Sequence, residues 1–166
     1  MSVTITAENL PQFDGATGIS GKKRLLYVNY GTGATAATPK WTLIGGAEDF
    51  TMSPTVNTQS KTTKDSGGWS IAAPTGKSFE ISSKLVAIAG DVGQNVLKSF
   101  VYDDKCTDKN ALQFAYVDVD SKDYMEFTAI VTSFEETSAA EDLVEYSMKA
   151  TGTGKPETKT GFTTGE

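Results

Sequence analysis

Histidine is missing from this sequence altogether, and with it the commonest general base, the usual metal ligand and the one side chain that titrates near neutrality. Cysteine is nearly missing too: Cys106 stands alone, so no intrachain disulfide can close and no thiolate zinc site can be built. With no histidine to activate it, that thiol reads as inert. Long apolar runs are lacking as well. No segment approaches the roughly 18 apolar residues of a membrane-crossing helix, so no membrane partner is expected. Residues 1–10 carry neither a basic stretch nor an apolar core, so no secretory leader is expected. Positive charge is in deficit, 15 Lys and Arg against 21 Asp and Glu, a net of −6. That balance argues against a protein that grips nucleic acid by neutralising phosphates, but not against one that lets it slide past.

What is present fits one domain of short strands and many turns. The 166 residues are enough to bury about 70% of the surface of the unfolded chain, so neither a metal nor a disulfide is needed to hold it. Residues 1–21 carry Gly15, Gly18 and Gly21 among scattered polar residues and read as an N-terminal arm. Residues 25–30 (LLYVNY) and 41–44 (WTLI) read as two strands of a hairpin with a floppy tip. Residues 48–64 are rich in Thr, Ser, Asn and Gln without an apolar face, which predicts a long loop or an exposed ribbon reaching the Gly67-Gly68 turn. A strand over 69–73 is expected to stop at Pro74 and Gly76, and a second to run over 79–88 with Phe79, Ile81, Ser83 and Leu85 on one face. One helix is expected from Asp91 to Asp103 or Asp104, with Asp91 as cap, Gln94 completing a capping box, and Val92, Val96, Leu97 and Phe100 on its inner face. A long hairpin over 111–119 and 124–134 follows, then a strand in which Val144, Tyr146, Met148 and Ala150 alternate with polar residues. Residues 152–166 read as a flexible tail.

Four motifs invite a chemical reading. Thr75-Gly76-Lys77-Ser78 contains the end of a phosphate-binding loop, but Ile71 stands where its first glycine belongs and the following residues alternate as a strand, so a hairpin turn is the simpler assignment. Residues 31–36 match the dinucleotide pattern G-x-G-x-x-A, yet Pro39 prevents the helix that pattern must open. Residues 118–123 (DVDSKD) look like a calcium loop, with Asp118 and Asp120 at alternate ligand positions, but Lys122 stands where the third ligand belongs, Asp123 replaces the glycine and Ala129 the bidentate Glu; a solvated hairpin tip is the default. Glu135-Glu136 and Glu141-Asp142 have no apolar flank to raise a carboxyl pKa. No catalytic residue, cofactor or metal is therefore expected.

With catalysis set aside, the arm, the polar ribbon and the strand-rich remainder need an explanation. The order of YVNYG (27–31), WTLIGG (41–46), KDSGGW (64–69), SFEIS (78–82), one helix, a hairpin, and ATGTGKPE (150–157) resembles the major tail protein, or tail tube protein, of long-tailed bacteriophages of the siphophage type. The resemblance implies a mostly β fold with one flanking α-helix, a β-sandwich or partly open barrel, forming a single domain over 1–166. It implies a non-enzymatic structural protein of the virion tail, made in the host bacterial cytoplasm. Copies would assemble into hexameric rings that stack into a tube, with the arm (1–21) and an inter-ring loop (48–68) reaching the next ring. The implied partners are the chain itself, a tape-measure protein, a tail terminator and tail-tip proteins, with double-stranded DNA only in non-specific transit. Leu10, Phe13, Phe50, Met52, Val56, Trp41 and Trp69 are the expected assembly contacts. The rival readings are the tube of a contractile tail, bacteriocin or secretion apparatus, and a β-sandwich that binds a receptor or carbohydrate. Strand edges supply the physical basis for assembly, since an edge left unpaired invites another chain.

Overall fold

A computed structural model of the protein describes residues 20–103 and 110–165. Seven strands, β1 (Arg24–Asn29), β2 (Trp41–Leu43), β3 (Thr51–Thr62), β4 (Ser70–Val86), β5 (Leu112–Asp118), β6 (Tyr124–Thr137) and β7 (Glu145–Lys159), form one antiparallel ladder in the order β2-β1-β5-β6-β7-β4-β3. A single helix, α1 (Val92–Tyr102), lies against β6 and β2. The fold is thus mostly β with one flanking helix, as expected.

The ladder bends because β6 and β7 serve two groups of strands. The upper part of β6 pairs with β5 (Val117 with Tyr124 to Leu112 with Ala129), while the lower part of β7 pairs with β4 (Val86 with Glu145 to Glu80 with Thr151). Register shifts in the β6–β7 ladder between Glu126 and Thr128 and between Val131 and Ser133 turn one group over the other. Leu26 and Val28 from β1, Phe114 from β5 and Phe127 from β6 then share one core with Phe79, Ile81 and Leu85 from β4 and Met148 from β7. The two ends of the ladder do not pair with each other. They belong to neighbouring stretches of chain, because residues 44–48 leave β1 (Ile44 N–H to Leu26 C=O, 3.0 Å) and reach β4 (Val86 N–H to Gly46 C=O, 2.8 Å; Glu48 N–H to Lys84 C=O, 2.9 Å). Gly46 makes the corner with φ +71°, where a Cβ would stand 2.2 Å from the Val86 carbonyl oxygen.

The helix closes the core with Leu97 and Phe100. Asp91 caps it as expected, accepting the Gln94 N–H at 2.8 Å, an interaction worth about 1 kcal/mol. The capping box is not completed. The Gln94 side chain is buried instead, donating to Gly45 and Val86 carbonyls (2.8 Å each) and accepting from Ile88 N–H at 3.0 Å. Three bonds to part-buried backbone groups outweigh a single cap bond at the surface. Val92 consequently turns outward and is half exposed.

Three other expectations are corrected. Pro74 and Gly76 do not end a strand: β4 runs through them, because Thr75 is an extra residue opposite Asn57 and Thr58, and its hydroxyl donates to the Asn57 carbonyl at 3.2 Å. Proline is tolerated there because β4 has only one neighbour over this stretch. The same bulge replaces the hairpin turn expected at 75–78. Of the tail expected over 152–166, the described residues 152–165 are not a tail. Residues 152–159 complete β7, and after the turn at Gly161 the Phe162 ring packs on Tyr27 (4.8 Å between centroids), Tyr124 (5.3 Å) and Trp41 (6.2 Å), while Thr164 C=O accepts the Trp41 N–H at 2.9 Å. A second small core of Trp41, Ala115, Val117 and Phe162 results on the outer face. The expected hairpin of β1 and β2 forms (Tyr27 with Leu43), and its connection is tied down by the Asn29 side chain, which donates to Thr35 C=O at 3.0 Å and accepts Lys40 N–H at 2.9 Å.

Candidate assembly interface

Of the two readings of residues 48–64, the structure takes the ribbon. β3 pairs with β4 from Thr51 with Ser82 to Thr62 with Ser70, and beyond Phe79 the two strands leave the core together. From residue 53 to 78 every side chain is exposed except the half-buried Ser66. About nine residue pairs at about 3.3 Å each give a two-stranded ribbon some 30 Å long with both faces in solvent. The point of departure is fixed by Phe79, whose ring lies over Gly152 so closely that a Cβ there would meet it at 2.1 Å. β7 stays with β6 at this point, whereas β4 stays with β3.

Open backbone is the result. Among the described residues, β3 has no second neighbour over 51–62, β4 has none over 70–79, and β7 has none opposite β6 over 152–159. An isolated two-stranded ribbon is marginally stable in water, so these edges are places where other chains can complete the sheet. At the tip, Ser66 Oγ donates to Thr63 C=O at 2.7 Å, Trp69 N–H donates to Ser66 C=O at 3.2 Å, and Gly67 and Gly68 take φ of +61° and +90°. Thr63 donates its hydroxyl to Asp65, and this bond with a backbone one holds the Asp65 carboxyl below its ordinary value.

The expected contact residues separate into three groups. Leu10 and Phe13, with most of the arm, lie outside the described residues, as does Cys106. Trp41 is 7% exposed and held in the second core, while Phe50 stacks on Tyr116 at 4.2 Å and Met52 packs against the main core; the chain's own fold uses all three. Val56 and Trp69, 53% and 79% exposed, are available on the ribbon. Ile71, 65% exposed, joins them unforeseen. It continues the period-two spacing of Trp69, but spacing alone does not say whether a strand face is covered.

A second apolar surface, also unforeseen, lies along α1, where Tyr30, Val92, Val96, Phe100 and Leu112 line a groove of ≈ 600 Å³ that ends at Asp103. A polar hollow on the outer face of β1, β5 and β6 is satisfied internally: Asn29 donates to Gln113 (2.7 Å), Gln113 to Glu126 (2.8 Å), and Lys159 pairs with Glu126 at 3.0 Å. That pairing raises the Lys159 pKa. The calcium-like loop is a hairpin tip in which Asp118 Oδ1 accepts Asp120 and Ser121 N–H groups (3.0 and 3.3 Å), while Lys23 pairs with Asp120. Glu136 pairs with Lys98 at 3.3 Å, which raises the lysine pKa. No group of three or more potential metal-ligating side chains occurs among the described residues.

A family model described as phage tail tube protein matches residues 18–158. No curated protein sequence matches. Among solved structures, the chain is similar to one from the tail of an empty gene transfer agent particle refined with C6 symmetry, at 18% identity and TM-score 0.65, covering 86% of this chain and 100% of that one. It is similar to the SPP1 tail tube at 16% identity and TM-score 0.69 (89% and 82% covered). A chain of the anti-feeding prophage baseplate, 6-fold symmetrised, aligns at 6% identity and TM-score 0.62 (88% and 98% covered).

Proposed function

Because the chain belongs to the phage tail tube protein family, we propose that it is the repeating subunit of a tube made of stacked six-membered rings, through which DNA leaves the particle. The observation that carries this reading is the ribbon: about 30 Å of paired strand with open edges and open faces, which copies of the chain would complete into a continuous sheet around a lumen. The six-fold symmetry of the gene transfer agent tail supports the ring size. A net charge of −6 suits a conduit along which polyanionic DNA must slide without sticking.

In this reading the protein has no catalytic role; its function is its surface. Residues 1–21 and 48–68 make the contacts between rings, and assembly is directed by a tape-measure protein, a terminator and tail-tip proteins in the host cytoplasm. Trp69 and Val56 belong to the interface, Trp41 to the fold. Likeness to the anti-feeding prophage chain favours a second reading, the tube of a contractile system. A sheath gene beside this one would select it.

Negative-stain electron microscopy of the concentrated protein tests the proposal. Hollow tubes or six-membered rings are expected, with tip proteins supplied if initiation is slow. A strict monomer under both conditions would overturn it.

A further inference from the structure

We propose that the ribbon tip, Trp69 with Ile71, seats in the groove along α1 of a second copy in the next ring; this identifies the two halves of the ring-to-ring contact and rests on the tube reading above. The tip exposes Trp69 and Ile71, 79% and 65%, the groove is lined by apolar side chains, and one chain cannot join them. β4 starts at the tip with Ser70 and ends at Val86, where Gln94 fastens the start of α1. About 50 Å of strand separates those ends, so tip and groove meet only between copies.

A contact between two different patches of one chain does not close on itself. It repeats in one direction, as a stack of rings requires. Charge favours the same match. Residues 51–78 hold Lys61, Lys64 and Lys77 against Asp65 alone, leaving 12 of the 15 basic and 20 of the 21 acidic residues elsewhere. The charged residue lining the groove is Asp103. The groove volume of ≈ 600 Å³ accommodates an indole together with a branched aliphatic side chain. A smaller hollow of ≈ 390 Å³, lined by Met52, Pro54, Phe79 and Pro156, lies at the ribbon's own root and is the competing seat.

Cysteine pairing in assembled tubes decides between them. With Cys106→Ser as background, Lys61→Cys, at the position paired with Ile71 and so on the same face of the ribbon, combined with Asn95→Cys is expected to give, on mild oxidation, a ladder of covalent oligomers extending well beyond the dimer, since each copy links to the next. Either single variant should remain monomeric on a denaturing gel. Tubes in which that pair stays unlinked, while Lys61→Cys with Pro156→Cys links, would overturn the groove assignment and leave the tube reading standing. Failure of the unmodified chain to form tubes or rings would overturn both. Should the double variants not assemble, Val92→Glu gives an independent reading, because Val92 is exposed in the first helical turn, where a carboxylate is tolerated. The variant is expected to form rings that stack at least tenfold more weakly than the unmodified chain; stacking at equal strength would overturn the assignment.

Discussion

β4 is one strand with two environments. From Glu80 to Val86 it lies between β7 and the chain of residues 46–53, and Phe79, Ile81, Ser83 and Leu85 are buried in alternation. From Ser70 to residue 78 it keeps β3 as its only neighbour and every side chain is exposed. Residue type does not separate the halves, since Ile71 would suit the core as well as Ile81 does. The difference lies in neighbours: the lower half is completed by its own chain, and the upper half is left for another chain to complete.

If this division is right, truncations in the lower half should act on stability and those in the upper half on assembly. Leu85→Ala, at a side chain with no exposure, is expected to cost about 3–4 kcal/mol in urea unfolding. Phe162→Ala should follow at about 3 kcal/mol, because it opens the second core around Trp41 and Tyr27; a cost near zero would return residues 152–166 to the status of a loose tail. Asp91→Ala removes a helix cap that also accepts the Gly45 N–H at 3.2 Å, and should cost about 1–2 kcal/mol.

The Lys159–Glu126 pair should contribute less than about 1 kcal/mol, because the lysine is partly solvated and exposed pairs are screened. Its pH dependence has a definite sign. Glu126 raises the folded pKa of Lys159 above the ordinary 10.5, so the contribution is complete below that value and is lost as pH rises through the folded pKa. Glu126→Gln should weaken that alkaline slope, leaving the part due to Glu157 at 3.7 Å, and leave stability at pH 7 nearly unchanged. Smallest of all, Ile71→Ala should shift stability by less than about 0.5 kcal/mol, as at any exposed site free of special features.

The sequence was most legible where one face of an element is covered by the chain itself. Period-two spacing located Phe79, Ile81 and Leu85 and the Tyr146, Met148, Ala150 series, and Asp91 marked the helix start. It was least legible where the deciding fact is a partner. The polar alternation of residues 51–62 carries no apolar face to detect, because both faces are open in a single copy. Pro74 and Gly76 look like strand ends unless it is known that the adjacent edge is unpaired and that Thr75 bulges. Gln94 fits a capping box, but three part-buried backbone groups, at Gly45, Val86 and Ile88, claim its amide. Phe162 sits among Gly, Thr and Lys, so nothing local announces that its ring seals a core built from β1, β2, β5 and β6. Of the expected contacts, Trp69 and Val56 were placed on the ribbon, Trp41 was not, and the groove on α1 was invisible because its residues come from three separate segments.

The most direct test is to remove the ribbon while leaving the core. Val56 and Lys77 are paired across it, so residues 57–76 can be replaced by Asn-Gly, a two-residue turn suited to joining antiparallel strands. The shortened chain is expected to keep a strand-dominated circular dichroism spectrum, reduced by the ribbon's share, and the cooperative unfolding of the parent, with a midpoint within a few degrees, and to form no tubes at any concentration at which the parent does. Tubes of normal appearance from the shortened chain, or loss of the folded core, would contradict the claim that the ribbon is built for assembly and the core for stability.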